Sequence, residues 1–516
     1  MASIADFYAG KNILITGATG FMGKVLVEKL LRSCPDINAL YILVRPKANQ
    51  SPKDRIDNML KSKLFSKLKE VSTDFQQKFV PISSDLMQPG LGLSTEDEDM
   101  LKAHIHVIFH CAATIRFDEP LKRALRLNVA ATQELLGLAE HMPKLEAFIH
   151  ISTAYAHCNH KHIEDVVYPS PVEPNILLSS LEWMDDSIVD DITLRLLADW
   201  PNTYTFTKAL AESIVNQHGE KFNTAIVRPS IIVASWREPF PGWIDNLNGP
   251  SGVLVAAGKG VMRTMMADNN AVADIIPVDV VINLMLAAGW YTAVQRPQST
   301  LVYNCTTGGV NPILWGDIER SVMSTFKQIP LDKAFRRPNA NFTSSYLSNR
   351  FWNLFTHKVP ALAYDTYLRL SGNEPMMMKL YKKLHKAAGL LEYFSVRQWS
   401  WSSKNLDMLK GQLSAEDQQN FNFDVGHLNW LEYMEKYCIG AKKYILNEDM
   451  ADIPAAKQHL KKLRNICYTC NTLLLVFVWH IFIAQSQVAN DLWSYMVSTL
   501  LKPLSYFQES AGVLTH

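Results

Sequence analysis

The stretch KNILITGATGFMGKVLVEKLLRSC, residues 11–34, reads as a strand, a glycine turn and a helix. Asn12 to Thr16 is a short β-branched and aliphatic run, and Gly17, Gly20 and Gly23 follow it. From Lys24 onward, Val25, Leu26, Lys29 and Leu30 recur at helical spacing. Each glycine has a physical task in such a turn. The first permits a tight reversal, the second lets the backbone approach a pyrophosphate, and the third packs the helix close against the strand. The phosphates then rest on the helix N-terminus, where unpaired N–H groups and the helix dipole favour an anion. A glycine triplet between a strand and a helix implies a dinucleotide site made by Thr16, Gly17, Thr19, Gly20, Phe21, Met22 and Gly23.

The next strand, ALYILVR, carries the cofactor reading further. In an NAD-binding unit an acidic residue near its end takes the ribose 2′-hydroxyl, about 20 residues past the glycines. Here Arg45 holds that place, with Lys47 close by. A guanidinium suits a 2′-phosphate bidentately, so NADPH is favoured over NADH.

Further apolar strands alternate with helical stretches. KFVPISSDL ends at Asp85 and Leu86, and HVIFHCAA ends at Cys111, Ala112 and Ala113. EAFIHISTAY runs into Ser152, Thr153 and Tyr155, and NTAIVRPSII carries Arg228, Pro229 and Ser230. Such alternation implies a doubly wound parallel sheet covered on both faces. Ligands bind beyond the carboxyl ends of its strands, where these residues fall.

The stretch NTYTFTKALAE places Tyr204 and Lys208 at i and i+4, on one face of a helix. An isolated tyrosine and lysine at this spacing is often a plain amphipathic helix. As a pair for proton transfer, the ammonium would favour the phenolate and lower the pKa of Tyr204 toward neutral pH.

Composition sets the outer bounds. The chain has 516 residues, 48% hydrophobic and 20% charged, which suits a folded multidomain protein. A formal net charge of +1 argues against a nucleic-acid partner held by bulk positive charge. Seven scattered cysteines read as reduced thiols facing a cytosol-like compartment. The first residues lack the apolar run of a secretory signal. HCNHKH brings His157, His160 and His162 beside Cys158, but the spacing fits no closed zinc site, so no metal is expected.

Together, the glycine turn, the hydroxyl at the end of the fifth strand and the Y-x-x-x-K helix resemble the extended short-chain dehydrogenase/reductase superfamily. That resemblance implies a Rossmann domain with a Ser/Thr–Tyr–Lys catalytic set. The hydroxyl is Ser152 or Thr153, with Thr153 preferred because it stands two residues before Tyr155. Asn128, in LNVAATQELL, matches the superfamily's supporting asparagine. Tyr204 and Lys208 then also touch the cofactor.

Within the superfamily, IFHCAATIRFDEPL, HISTAYAHCNHKHIEDVVYP, EPFPGWIDNLNGPSG and FRRPNANFTS resemble the fatty acyl-CoA reductases of animals. The resemblance spans nearly the whole chain. It implies NADPH-dependent reduction of a long-chain acyl-CoA to a primary alcohol through a transient aldehyde, with release of CoA, for wax and ether lipid synthesis. Val233 stands where these reductases usually have glycine, near the nicotinamide, where its isopropyl group is expected to crowd the site; Glu374 stands where relatives tend to be basic. Another membrane-bound extended reductase of the steroid dehydrogenase kind, or a non-catalytic NADPH-binding membrane protein, are the alternatives.

The implied organisation is a Rossmann domain over 1–280, a substrate-side segment over 281–350 and a small helical "male sterility" domain over 351–450. No Asp, Glu, Lys or Arg occurs from Asn465 to Asn490, and residues 466–484 approach the ~20 needed for a bilayer span. Lys461, Lys462 and Arg464 just before it keep the large domain on the cytosolic side. The expectation is a single-span C-terminal membrane anchor with a tail over 485–516, a re-entrant hairpin and a buried helix being the alternatives, in the peroxisomal membrane or, alternatively, the endoplasmic reticulum. Membrane lipid is the partner this implies, and a homo-oligomer is left open.

Overall fold

The computed structural model describes residues 2–47, 50–71, 74–485, 487–488 and 490–499. Most of the predicted tail lies outside them. Seven strands form one sheet: β1 (Asn12–Thr16), β2 (Ala39–Val44), β3 (Phe79–Ser83), β4 (Val107–His110), β5 (Ala147–Ile151), β6 (Thr224–Pro229) and β7 (Leu301–Cys305). Their order is β3-β2-β1-β4-β5-β6-β7, and every neighbouring pair is parallel. The strand order reverses between β1 and β4, which opens a crevice at their carboxyl ends.

Period-two alternation divides the core between two faces. Ile13, Ile15, Phe109 and Val227 pack on one side with helices α1 (Phe21–Ser33) and α3 (Val278–Gln295). Leu14, Ile108, Phe148 and Ile226 pack on the other with helix α2 (Thr203–His218). Among the described residues, α3 is the one helix that meets a bilayer span's length and hydropathy. It is a core helix, with Leu284, Leu286 and Trp290 buried against the sheet.

The C-terminal region is sewn to the strand ends. Ser400–Trp401 pairs parallel with His162–Ile163, and the Trp401 indole donates to the Ala154 carbonyl at 3.0 Å. Helix α4 (Met377–Ser395) ends with Phe394 packed on Tyr155. Phe421, Phe423 and Val425 join the α1/α3 face of the core, so residues beyond 395 complete the reductase body rather than stand apart from it. The last helix, α5 (Ile453–Gln485), is docked through buried Ala456 and through His459 on the Ala334 carbonyl. From Ile466 to Ile481 its side chains are exposed. The predicted segment 466–484 lies in this one helix.

Candidate active site

The glycine turn has the geometry that phosphate binding needs. Gly17 adopts φ +72°, and a Cβ there would sit 2.9 Å from the Ala112 nitrogen. Backbone from the end of β4 thus closes on the turn, which only glycine permits. A Cβ at Gly23 would strike the Gly17 carbonyl, so the third glycine sets how tightly α1 meets β1. Gly20 caps α1 with no side chain over its N–H groups, which leaves them free for an anion. Phe21 stacks on Trp243 at 5.5 Å, and Lys24 pairs with Asp245 at 2.7 Å, so the 236–248 loop braces this helix. Met22 is half-buried beside them. The residues present therefore fit a dinucleotide.

Other predicted cofactor residues divide into rim and scaffold. Arg45 and Lys47 are exposed beyond β2. Arg55, which the sequence reading missed, donates to the Arg45 carbonyl and to the Thr19 hydroxyl at 3.2 Å. The Ser51–Asp54 capping box starts its helix and was the available signal. Asp85, half-buried, accepts from the Met87 N–H and turns the chain after β3, and Leu86 packs on the core there. Cys111, Ala112 and Ala113 follow β4 directly and are partly exposed. Thr16 is buried: its hydroxyl lies 2.8 Å from His110 and accepts from the Ala112 N–H, so it holds β1 to β4.

The catalytic candidates converge at the end of β5. Asn202 caps α2 through the Thr205 N–H, which puts Tyr204 in its first turn. The Tyr204 phenol is hydrogen-bonded to the Thr153 side chain. Lys208, one turn on, donates from Nζ to the Ile151 carbonyl at 2.6 Å. Asn128 is buried in an i→i+5 turn spanning Arg126–Ala130, a feature frequent at functional sites. Its amide accepts from the Thr114 N–H and donates to Thr207, so it ties the loop after β4 to α2.

Three expectations need correction. Tyr204 is not lowered toward neutral pH; burial pushes it up to about 12, against the Thr153 hydrogen bond. The Lys208 ammonium is engaged by the Ile151 carbonyl, and burial lowers its own pKa to about 8. Arg228 is not on the cofactor surface. It is wholly buried, pairs with Glu212 at 2.6 Å and donates to the Glu164 and Val166 carbonyls. Val233 does not crowd the cleft, because its isopropyl group is enclosed in an apolar cluster.

Glu212 is the second residue the sequence reading missed. It sits at i+4 from Lys208, and that spacing was its signal. It accepts from Ser152 at 2.5 Å, from His157 at 3.0 Å and from Arg228. Burial alone would raise its pKa, but Arg228 and His157 hold it well below the carboxylate range. Ser152 is thus committed to the scaffold, which leaves Thr153 as the hydroxyl at the phenol. Pro229 ends β6 beside it, its carbonyl accepting from the Ala154 N–H, and Ser230 is buried just beyond. Of the other predicted metal-like residues, His162 bonds Ser400 and His160 stacks on Tyr168.

An apolar pocket opens behind this site, lined by Ile231, Leu254, Met265, Trp315, Phe342 and Phe394 among others. Phe394 packs on Phe117 at 5.3 Å, and Phe117 stacks on Tyr204 at 5.7 Å. The phenol therefore stands at the end of an aromatic wall that continues into the pocket.

A family model described as "Male sterility protein", of the NAD-binding kind, matches residues 15–285, and a second of the same description matches residues 356–448. The chain is 60% identical over 511 residues to Fatty acyl-CoA reductase 1 of Xenopus laevis, covering 99% of each. It is 57% identical, with the same coverage, to Fatty acyl-CoA reductase 2 of Bos taurus. Among solved structures, the reductase domain of a nonribosomal peptide synthetase from Mycobacterium tuberculosis aligns with TM-score 0.56 at 18% identity, covering 85% of this chain and 94% of that one. The terminal R domain of the myxalamid pathway aligns with TM-score 0.54 at 18% identity, covering 86% and 93%. At that identity these two structures speak for the fold alone.

Proposed function

The chain belongs to the fatty acyl-CoA reductases, and on that premise we propose that it reduces a long-chain fatty acyl-CoA to the primary alcohol, with release of CoA, for lipid synthesis. It is a nicotinamide-dependent reductase, and NADPH is our choice of cofactor because Arg45 and Arg55 lie together at the end of β2. The observation that carries the reaction is the Thr153–Tyr204 hydroxyl pair at the end of an aromatic wall leading into an apolar pocket.

The glycine turn and the N-terminus of α1 would hold the pyrophosphate, and Lys208 the ribose hydroxyls beside the nicotinamide. When bound, NADPH would supply the hydride, one molecule for each of the two reductions. Tyr204 donates its proton to the substrate oxygen that gains charge, and Thr153 hydrogen-bonds the same oxygen. A high phenol pKa keeps that proton in place at neutral pH. The first addition gives a hemithioacetal, which collapses by expelling the CoA thiol and leaves the aldehyde. The second addition gives the alcohol. The pocket behind Phe394 takes the acyl chain and holds the aldehyde between the two steps.

The exposed apolar turns of α5, preceded by Lys461, Lys462 and Arg464, support a single-span anchor over residues 466–484. Its place is the peroxisomal membrane, with the catalytic body in the cytosol and the endoplasmic reticulum as the alternative address.

NADPH consumption by the detergent-solubilised chain, with a saturated long-chain acyl-CoA and product analysis by mass spectrometry, tests the reading. Fatty alcohol and free CoA are expected, and Tyr204→Phe should abolish both while still binding NADPH. Full turnover by Tyr204→Phe would overturn the proton-donor assignment.

A further inference from the structure

Between Asp332 and Glu374 the chain carries six cations, Lys333, Arg336, Arg337, Arg350, Lys358 and Arg369, against a single carboxylate, Asp365. Asp365 is buried and accepts from the backbone N–H groups of Met376, Met377 and Met378. It organises the start of α4 and adds no exposed negative charge. The helical segments Tyr346–Trp352, Asn353–Lys358 and Val359–Leu370 follow one another without a break. Along them Leu347, Phe351, Phe355, Leu362, Tyr367 and Leu370 are exposed, Leu347 at 78% and Leu370 at 85%. So many exposed large apolar side chains on one helical run mark a contact surface rather than the scattered apolar residues of an ordinary exterior.

This run is continuous with the exit of α5. His357 accepts from the Arg263 N–H at 2.6 Å, and Arg336 donates to the Thr356 carbonyl at 2.9 Å. His459 of α5 holds the Ala334 carbonyl at 2.8 Å, two residues before Arg336. The base of α5 is therefore joined to the helical run through residues 334–336. Exposed charge on the run is of one sign, supplied by Arg350, Lys358 and Arg369. Two copies of such a face would repel each other, whereas anionic headgroups would complement it.

We propose that the run Tyr346–Leu370 is a lipid-binding face that lies in the headgroup–acyl boundary of an anionic bilayer, beside the point where α5 enters it. The inference rests on the reading of α5 as an anchor and goes beyond it: the body lies against the membrane rather than hanging from a tether. The apolar stripe enters the acyl boundary, the three cations meet lipid phosphates, and Trp352 and Tyr367 sit at the level that aromatic rings favour.

The test uses the full chain with Cys467→Ser and Cys470→Ser, inserted into phosphatidylcholine–phosphatidylserine vesicles whose acyl chains carry bromine. A polarity-sensitive fluorophore is attached in turn at Leu362→Cys, Leu474→Cys and Ser179→Cys. Blue-shifted emission with bromine quenching is expected at Leu362→Cys and Leu474→Cys, and water-like emission at Ser179→Cys, which is exposed elsewhere on the body. Quenching at Leu474→Cys with water-like emission at Leu362→Cys would overturn the lipid face and leave the anchor standing. Water-like emission at both would overturn anchor and face together. A blue shift at Leu362→Cys without bromine quenching would mean that another protein surface covers the stripe, which also overturns the proposal.

Discussion

Lys208 donates to the Ile151 carbonyl at 2.6 Å, so the helix that carries Tyr204 is tied directly to the strand end that presents Ser152 and Thr153. This hydrogen bond joins the Asn202 cap and the Asn128–Thr207 contact in placing the phenol against its hydroxyl partner. Burial has a second effect on the same lysine, lowering its pKa to about 8. Lys208 is charged below that pH and loses its charge above it. We expect kcat/KM to decline as pH rises through about 8, and Lys208→Met to give a low profile without that limb. A native profile that stays flat well above pH 8 would contradict a role for the charged lysine.

Cofactor choice should follow from Arg45 and Arg55. Hydrogen bonds to a charged group contribute about 1.5–3 kcal/mol each, which is roughly 10- to 100-fold in affinity. The pair Arg45→Ala and Arg55→Ala should raise the KM for NADPH by at least about tenfold and leave the KM for NADH nearly unchanged. Steady-state kinetics with both cofactors decides this. Equal losses for both would mean that these residues hold the loop rather than a 2′-phosphate.

Gly23→Ala tests the closeness of α1 to β1. Its Cβ would meet the Gly17 carbonyl and the Ala18 backbone, neither of which can yield as a flexible side chain would. Overpacking of this kind costs about 1–3 kcal/mol. Thermal unfolding should report that loss, and NADPH affinity should fall with it because the phosphate turn is displaced. Unchanged affinity would separate the third glycine from the cofactor site.

The buried histidines behind the site predict acid sensitivity. Burial, with the Lys208 charge nearby, lowers His110 to about 3, and His150 is lowered well below its ordinary value for the same reasons. Unfolded histidine titrates at about 6.5. Between those values the unfolded chain binds more protons, so stability must fall as pH drops below about 6.5. Melting temperature measured from about pH 7 down to about pH 5 should decline, and His110→Asn should flatten part of that decline. A pH-independent melting temperature over this range would contradict it.

What could be read from the sequence followed from local rules. The β1 turn was legible because the strand, the three glycines and the helix lie within one short stretch. Tyr204 and Lys208 were legible because helical spacing alone puts them on one face. Arg228 was misread because β6 is buried on both sides, so alternation carries no signal of where a side chain points. Its partner Glu212 lies on a different element, and only the fold joins them. Arg55 was missed for the same reason: its helix is local, but its reach to Thr19 is tertiary. The raised Tyr204 pKa depends on burial, and Lys208 is engaged by the Ile151 carbonyl; neither feature appears in a Y-x-x-x-K pattern.

The proposed reaction places two successive hydride transfers to the same carbon in one site. NADPH deuterated at the transferable position, a saturated long-chain acyl-CoA and the full-length chain test it in a single reaction analysed by mass spectrometry. Primary alcohol with both C1 hydrogens derived from deuteride is expected, together with free CoA. Accumulation of singly deuterated aldehyde, or acyl-CoA returned without label, would contradict it.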